Sequence, residues 1–328
     1  MIISFYDKDL TLQDIVRSWV SLLAVGTYNT MGAFTLELQD TQENSSLVNL
    51  WQYCTIDNDN DNVYVITSVN VSDGKIILTG FPATYIFSKR ASTNVISNKN
   101  SEQAMKSLVD NMTPWDNLVT GELKGLTDTF ENQISDKQII EYLQGIGQAT
   151  DTGFRVIKQG NQLVFECYKP EVNNSVKYAT SLKNVANLDY LLSDNEYYNV
   201  AIVAGAGEGN ERVTVTAAIG NPTGAERREL YVDARNEQPE ENEATEAYEA
   251  RLEKIGLQTL VEKLRIENLS FLVENNDEVK LGDIINVSLD EYGIILQVRV
   301  TEEEIINQNN TTTRTISVGT PLKVVRRM

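Results

Sequence analysis

The first part of the chain is dominated by stretches in which apolar and polar side chains alternate. This period of two predicts strands that bury one face. The clearest examples are residues 34–38, 63–71 and 75–80. The last two runs are separated by Asp73-Gly74, a dipeptide that favours tight hairpin turns. We therefore predict a hairpin over residues 63–79.

The pattern changes to helical spacing between about residues 95 and 150. Ser101 is a suitable N-cap for a helix over residues 101–112. Residues 135–138 fit a capping box for a second helix, and residues 154–168 predict a hairpin. The apolar face of the second helix is expected to contain Ile139, Leu143 and Ile146. These elements predict a small α+β insertion between two β-rich parts.

A strand predicted from residue 199 onward is followed by three glycines at alternate positions, Gly205, Gly207 and Gly209. A dinucleotide-binding loop needs such glycines to open a helix, whose free N–H groups bind the pyrophosphate. Residues 212–216 are instead β-branched and alternating, which predicts a second strand. We therefore interpret the glycines as the loop of a hairpin, where they allow positive φ angles.

One long helix is predicted over residues 245–266, after an acidic segment that suits its positive end. Its first half places Tyr248, Leu252 and Ile255 on one face. Beyond Gly256, the apolar residues cluster on roughly the opposite face and comprise Leu257, Leu260, Val261 and Leu264. The helix therefore breaks at Gly256, is covered on both sides, or bends over a single core.

The chain returns to strand patterns at its end, over residues 278–287, 293–300 and 311–318. Short strands without a regular βαβ order are typical of barrels or sandwiches rather than of a doubly wound sheet. The predicted fold class is α+β and mainly β.

Composition narrows the possible functions. The 328 residues carry a net charge of -19 and contain no histidine. This charge argues against binding nucleic acid through its phosphates, which depends on Lys and Arg. The missing imidazole excludes Ser-His-Asp and Cys-His catalysis and His-ligated zinc. The two cysteines, Cys54 and Cys167, predict small buried side chains rather than a disulfide framework.

Two further signals are weak. The run from Asp57 to Asp61 resembles the start of a calcium loop, but Asn62 and Ser68 stand where that loop requires Gly and Glu. We expect a polar turn there. The sequence shows neither a secretion signal nor an apolar run long enough to span a membrane. We therefore expect synthesis in the cytoplasm and no stable membrane insertion.

Several segments resemble the tail-hub proteins of bacteriophages, which form the hub of a tail tip or baseplate. The similar segments are residues 29–38, 78–90, 198–209, 227–235 and 280–287. These motifs are strands and turns rather than a reactive signature, and the resemblance covers most of the chain.

The resemblance implies a homotrimer in which each protomer carries two similar β-barrel domains. Three chains would adapt a six-fold tail tube to a three-fold spike or fibre and form part of the genome-ejection conduit. The expected segments are a first β-barrel domain (1–92), an α+β insertion (93–178), the start of a second β-barrel domain (179–240), a helical excursion (241–270) and the end of the second barrel (271–328).

The implied partners are distal tail and tail tube proteins on one side and a spike, fibre or tape-measure protein on the other. The expected location is the virion tail, or a tail-like bacteriocin, assembled in the host bacterial cytoplasm. Because Met328 directly follows the last predicted barrel strand, we expect the hub region without the lytic domain that many members carry. We expect no enzymatic activity, no cofactor, no metal and no specific nucleic-acid binding.

Four residues are candidates for contacts between domains or subunits, namely Arg227, Arg228, Asp233 and Arg235. Strand alternation would place Arg228 on one face with Leu230 and Val232, and the other candidates on the opposite face. The alternative is a solvated edge strand, whose exposed ion pairs contribute only about 0 to 1 kcal/mol each.

Two other functions remain open. A tail lysin would use two carboxylates, but no spacing singles out a pair among the 47 acidic residues. A carbohydrate-binding adhesion module would require an exposed aromatic cluster, for which the candidates are Trp51, Trp115, Tyr197 and Tyr198.

Overall fold

The chain folds into two compact units, Met1–Leu188 with Ser270–Met328, and Asp189–Leu269. In this computed structural model the described residues are 1–47, 49–96, 99–130, 135–240, 243–261, 263, 266–273, 279–309, 311–319 and 323–326.

The larger unit begins with seven strands and one short helix. They are β1 (Ile3–Tyr6), β2 (Leu12–Val16), β3 (Ser21–Thr27), β4 (Ala33–Gln39), α1 (Gln42–Leu47), β5 (Tyr53–Ile56), β6 (Val63–Ser72) and β7 (Lys75–Pro82). The next section contains β8 (Ala91–Ser92), β9 (Lys99–Asn100), α2 (Ser101–Asn111), β10 (Leu118–Thr120), β11 (Thr129–Phe130), β12 (Lys137–Gln138), α3 (Ile139–Thr150), β13 (Gly153–Gln159) and β14 (Gln162–Tyr168).

Two strands, β15 (Val172–Ala179) and β16 (Val185–Ser193), lead toward the smaller unit. That unit contains β17 (Val200–Ala204), β18 (Thr214–Ala218), β19 (Glu229–Asp233) and helix α4 (Thr245–Val261). The chain then forms β20 (Ile266–Val273), β21 (Ile284–Leu289), β22 (Ile294–Gln308), β23 (Thr311–Val318) and β24 (Lys323–Arg326).

Strands β1 to β7 curl around one apolar core. They pair antiparallel in the order β2-β1-β5-β6-β7-β4-β3. Every one of them contributes side chains to the same buried cluster, as the alternation predicts: Ile3, Phe5, Val16, Leu22, Ala24, Phe34, Leu36, Leu38, Cys54, Ile56, Tyr64, Ile66, Ile76 and Leu78. The hairpin predicted over residues 63–79 is confirmed, with Asp73 and Gly74 at positive φ in its turn.

The predicted α+β section is built on a second apolar cluster, to which side chains of β1, β5 and β6 also contribute. Helices α2 and α3 pack with the β13–β14 hairpin, which is confirmed, and β10 joins β14 in parallel. The expected apolar face of α3 is also confirmed, because Ile139, Leu143 and Ile146 are fully buried.

Both helix starts differ from the prediction. The N-cap of α2 is Asn100, whose Oδ1 accepts the Gln103 N–H at 3.0 Å, and Ser101 is the first helical residue. At α3 the capping box is absent, since the N-cap Gln138 makes no capping side-chain bond. The entry of α3 is fixed instead by the short pair β12–β8 and by the Ile139 N–H, which donates to the Arg90 carbonyl at 2.8 Å.

Strand β22 joins the two β-rich parts into one sheet. Its first half pairs with β21 and β24, and its second half pairs with β3 and β23. The pairing with β23 shifts register between Val300 and Glu302. The strand buries even-numbered residues before this irregularity (Leu296, Val298, Val300). After it, the odd-numbered Ile305 packs on the β1–β7 core. A one-residue bulge produces such a change of face.

Arg299 fastens β22 to the α+β section. Its guanidinium donates to the Gly282 carbonyl at 2.6 Å and pairs with Asp151 at 2.9 Å, at the C-cap of α3. It also lies over the Tyr28 ring, 5.3 Å from the centroid, and the Tyr28 hydroxyl donates to Asp151 at 3.1 Å. Burial, and then the Asp151 carboxylate, raise the pKa of Tyr28.

The mainly β prediction is therefore confirmed. The strands of the described residues form five sheets, of which the largest is a branched sheet of 14 strands, and none of them is a closed barrel, so the two similar barrels and the five-segment division stay predictions. Cys54 and Cys167 are free and buried, as predicted, and burial raises the pKa of Cys167 to about 12. None of the helices in the described ranges has the length and apolar character that crossing a membrane requires.

A buried ion pair holds the loop beside α2. Glu102 is 1 % exposed and lies 3.3 Å from the Lys106 ammonium. Burial alone would raise the pKa of Glu102, but N–H groups of Lys124 and Leu126 and the Lys106 ammonium outweigh it and lower the pKa. Lys106 also donates to the Gly121 carbonyl at 2.8 Å.

Replacing Lys106 by methionine should destabilise the larger unit by about 3 kcal/mol, because it leaves Glu102 buried without its cation. The matched control is Lys137→Met, which breaks the half-exposed Lys137–Glu141 pair of 3.6 Å and should cost below about 0.5 kcal/mol. All three tryptophans lie in the larger unit, so urea unfolding followed by tryptophan fluorescence measures the difference. Equal losses in the two variants would contradict a stabilising role for the buried pair.

Candidate functional site

The smaller unit is a three-stranded sheet covered on one face by α4. The central strand β17 pairs antiparallel with β18 and parallel with β19. The predicted hairpin across the glycine loop is therefore confirmed. The face toward α4 holds the apolar core of the unit: Ala201, Val203, Ala217, Ala234, Tyr248, Leu252 and Leu260.

Helix α4 runs unbroken through Gly256. A Cβ at this position would lie 2.7 Å from both the Ala217 Cβ and the Val203 Cγ2, so glycine allows the helix to approach the sheet closely. Leu260 is buried in the same core as Tyr248, whereas Leu257 is exposed. The predicted break at Gly256 is therefore not observed, and Tyr248, Leu252 and Leu260 pack into one core. Leu264 lies outside the described residues.

The opposite face of this sheet is exposed along β18 and β19, whereas Val200 and Ala204 of β17 are buried on that face. Ile202 of β17 lies at its centre, in register with Thr216 of β18 and Tyr231 of β19. Thr216 is exposed, and Tyr231 is 60 % exposed. We call this surface the open face; it consists of Ile202, Thr214, Thr216, Ala218, Glu229, Tyr231 and Asp233.

Arg212 organises the edge of the open face. Its guanidinium donates to the carbonyls of Ala204 and Gly205 at 2.8 and 2.9 Å, at the start of the glycine loop. It also pairs with Asp233 at 2.5 Å and donates to the Tyr231 hydroxyl at 3.0 Å. One side chain therefore links the ends of all three strands to the loop.

Asp233 is shared between two arginines. Arg235 lies 2.6 Å from its Oδ2, and Arg212 pairs with its Oδ1. Hydrogen bonds from Arg235 and then from Arg212 lower the pKa of Asp233. Because this carboxyl remains charged, the cluster keeps a net positive charge at neutral pH.

The four predicted site residues fall into separate pairs. Asp233 and Arg235 contact each other, as described above. Arg227 pairs with Glu229, and the two side chains are 36 % and 47 % exposed. Arg228 lies 3.3 Å from Asp194, and its backbone N–H donates to the Asn199 side chain at 2.8 Å.

Sequence reasoning missed Arg212, which makes the most contacts in this cluster. A signal was present, because Arg212 is the cation that begins the predicted strand shortly after the glycine loop. Alternation alone does not show that its side chain turns back over the loop. The predicted faces of the third strand agree with the structure: Leu230 and Val232 are partly buried, whereas Glu229, Tyr231 and Asp233 are exposed.

A second arginine fastens the acidic segment before α4. Arg251 pairs with Glu243 at 2.9 Å and with Glu237 at 3.0 Å, and it lies over the Tyr248 ring. The Tyr248 hydroxyl accepts the Ala206 N–H at 2.7 Å and donates to the Glu237 carbonyl at 2.5 Å. Helix, acidic segment and glycine loop are thus joined by neighbouring side chains.

These contacts give the smaller unit paired charges, a partly exposed sheet face and a glycine loop held by hydrogen bonds from Arg212 and to Tyr248. Over the part of the chain that the structure describes, no group of three or more Cys, Asp and Glu side chains could hold a metal ion.

The sequence matches a family model described as Siphovirus ReqiPepy6 Gp37-like protein, over residues 76–320. The chain belongs to this family. The match spans most of the chain and includes the entire smaller unit. No curated protein sequence matches this chain.

Solved phage tail proteins share its fold along almost their whole length. The tail protein from Neisseria meningitidis MC58 has a TM-score of 0.64 at 13 % identity, covering 97 % of this chain and 96 % of that one. The 43 kDa tail protein of prophage MuSo2 from Shewanella oneidensis gives 0.62 at 12 %, covering 97 % and 98 %. Prophage tail protein gp18 from Listeria monocytogenes EGD-e gives 0.59 at 13 %, covering 97 % and 94 %.

The resemblance to phage tail proteins is therefore confirmed. The chain therefore has the fold of these tail proteins. Identities near 13 % establish the common fold, and the functional details rest on the residues of this chain.

Replacing Arg212 by alanine should raise the pKa of Asp233 toward its usual value, because one of its two cations is removed. Above about pH 4, the lowered pKa of Asp233 stabilises the folded unit, and this contribution is lost as the pH falls through the folded-state pKa. A carbon-13 NMR titration of the Asp233 carboxyl measures the change.

Arg235→Ala is the matched control. It should also raise the pKa of Asp233, but it should leave amide hydrogen exchange in residues 205–211 unchanged. Arg212→Ala should accelerate exchange there, because the loop carbonyls lose their donor. Equal exchange in the two variants would show that Arg212 does not hold the loop.

Proposed function

We propose that the protein is the structural hub of a phage tail tip or baseplate. In this function it is a trimeric adaptor between the hexameric tail tube or distal tail ring and a trimeric spike or fibre. It forms part of the conduit through which the genome is ejected. Its location is the virion tail, or a tail-like particle, after assembly in the host bacterial cytoplasm.

The observation that carries this proposal is the fold shared with tail proteins over 97 % of the chain, together with the family match. The continuous strand β22 adds support. Its two halves pair with two different sets of strands in one protomer, so three protomers would present six such β regions. That number is what a connection between six-fold and three-fold components requires, and it supports two barrel-like domains per chain.

The charge of the chain is consistent with a conduit. A net charge of -19 disfavours binding to DNA phosphates, which is suitable for a wall past which DNA must move. The partners in this function are distal tail and tube proteins on one side and a spike, fibre or tape-measure protein on the other. Basic or neutral side chains along the lumen of an assembled ring would contradict the role of charge.

Arg227, Arg228, Asp233 and Arg235 are the proposed contact residues of the assembly. All four are more than one-third exposed, so they are accessible to a second chain. The pairs Arg227–Glu229, Arg228–Asp194 and Asp233–Arg235 join exposed side chains, and such pairs contribute only about 0 to 1 kcal/mol. Exchange of these pairs for pairs between subunits therefore costs little.

Sedimentation velocity should show a trimer for the unaltered protein. Arg228→Ala and Arg235→Ala should shift the equilibrium toward monomer, because each removes a charge that a neighbouring subunit would pair. Arg17→Ala, at an exposed arginine in the larger unit, is the control and should leave the trimer intact. Unchanged sedimentation of the two site variants would refute the role of these arginines.

One observation favours a second candidate, a carbohydrate-binding adhesion module. The ring centroids of Trp51 and Trp115 are 5.3 Å apart. Tyr85 lies beside Trp51 and stacks on Phe81, with 4.4 Å between the two ring centroids. Trp51 has a φ of 64°, which is rare for a large side chain. Trp51, Tyr85 and Trp115 also pack against the core of the α+β section. This packing alone explains their presence in a structural hub. Titration of tryptophan fluorescence with cell-wall glycan fragments distinguishes the two, since a change that Trp115→Ala abolishes supports the adhesion module.

A further inference from the structure

Strand β18 has a free edge in the protomer. It pairs with β17 on one side, and within the described ranges no strand pairs with its other side. The Gly205 N–H donates to the Val213 carbonyl at 2.8 Å, and the Ile219 N–H donates to the Asn199 carbonyl at 2.9 Å. Because antiparallel pairs alternate, the odd-numbered residues of β18 bond to β17. The N–H and C=O groups of Thr214, Thr216 and Ala218 therefore point away from β17.

The side chains along this edge are uncharged. Residues 213–224 contain no Asp, Glu, Lys or Arg, although charged residues make up 23 % of the chain. The first seven are Val, Thr, Ala and Ile, which are small or β-branched, and they contain neither Gly nor Pro. The pairing of β18 with β17 shows no register shift, so no bulge bends the edge away.

The other edge of the same sheet is different. β19 and its flanks carry Arg227, Arg228, Glu229, Asp233 and Arg235. Charged residues on an edge strand prevent another strand from pairing with it. An uncharged, β-branched edge without Pro or a bulge has none of these protections and is a template for strand addition. The sheet is thus protected at β19 and open at β18.

We propose that the free edge of β18 is completed by a strand from the next copy of this chain in the assembly. The proposal rests on the homotrimer of the proposed function. With a charge of -19 on each protomer, two copies repel each other, and the uncharged segment 213–224 is where close approach costs least. The added strand would satisfy the outward backbone groups of Thr214, Thr216 and Ala218.

The added strand is a segment other than β18. A contact between two identical strands requires a two-fold axis, whereas a three-fold ring joins two different surfaces of neighbouring copies. The small side chains of Thr216 and Ala218 leave room for a strand beside them. Pairing of this kind extends the three-stranded sheet across the subunit boundary and leaves the charged side chains at β19 available for the ion pairs of the proposed function.

Two variants at Thr216 test the proposal. Thr216→Pro removes an outward N–H that makes no bond to β17, a position at which an edge strand tolerates proline. Thr216→Lys introduces a charge that opposes strand addition. The matched control is Tyr231→Lys, because Tyr231 and Thr216 flank Ile202 on the same open face. Circular dichroism and amide exchange of β17 establish that each variant is folded.

Sedimentation velocity over a range of concentrations measures trimerisation. Both Thr216 variants should weaken it by about tenfold or more, which corresponds to the loss of a few backbone hydrogen bonds. Tyr231→Lys should have little effect. Trimers of unaltered stability in folded Thr216→Pro would overturn the inference and leave the proposed hub intact. A wild-type protein that remains monomeric would overturn the trimer and this inference together.

Cross-linking identifies the added strand. Both native cysteines are buried, so Thr216→Cys supplies an accessible thiol for a maleimide photo-cross-linker. In the trimer, mass spectrometry should find a link to a different segment of a neighbouring copy, and Tyr231→Cys should give no such link. Disulfide dimers joined at residue 216 would indicate a two-fold contact and would overturn the proposal.

Discussion

The larger unit depends on the double pairing of β22. This strand of 15 residues pairs with β21 and β24 in its first half and with β3 and β23 in its second. The register shift near Thr301 exchanges the buried set from even to odd positions, so one strand can serve two cores. Arg299, held by Asp151 and Gly282, fixes β22 just before that shift. The backbone hydrogen bonds of β22 therefore join the two β-rich parts, which are far apart in the sequence.

The smaller unit is stabilised in a different way. Its sheet of three short strands is stabilised mainly by burial against α4, since a fully buried Leu contributes about 1.5–3 kcal/mol and an exposed ion pair about 0 to 1. Glycine at positions 205 and 256 permits the close contact between helix and sheet. Arg212 and Arg251 then position the loops around this core. Their pairs with Asp233, Glu237 and Glu243 determine where charge is located on the surface more than how stable the unit is.

A hub function fits this distribution of forces. A hub recognises its partners through its surface. In the smaller unit, one edge of the sheet (β19) is charged and the other edge (β18) is uncharged, so the two edges would select different partners. A chain with a net charge of -19 can associate with its copies only where charge is absent or paired. The β18 edge, whose segment 213–224 carries no charged side chain, satisfies that condition on one side of the sheet.

The sequence by itself determined the local structure. Alternation and turn residues predicted the β6–β7 and β13–β14 hairpins, the strand nature of residues 212–216, the face of α3 and the buried cysteines. It did not determine the caps of the two helices: α2 is capped by the side chain of Asn100 rather than by Ser101, and at α3 a backbone contact with Arg90 replaces the local side-chain cap. Nor did it reveal the continuous β22, the packing of Gly256 or the reach of Arg212. These features depend on partners tens to hundreds of residues away, and a pattern of period two or 3.6 records which side is buried but not what covers it.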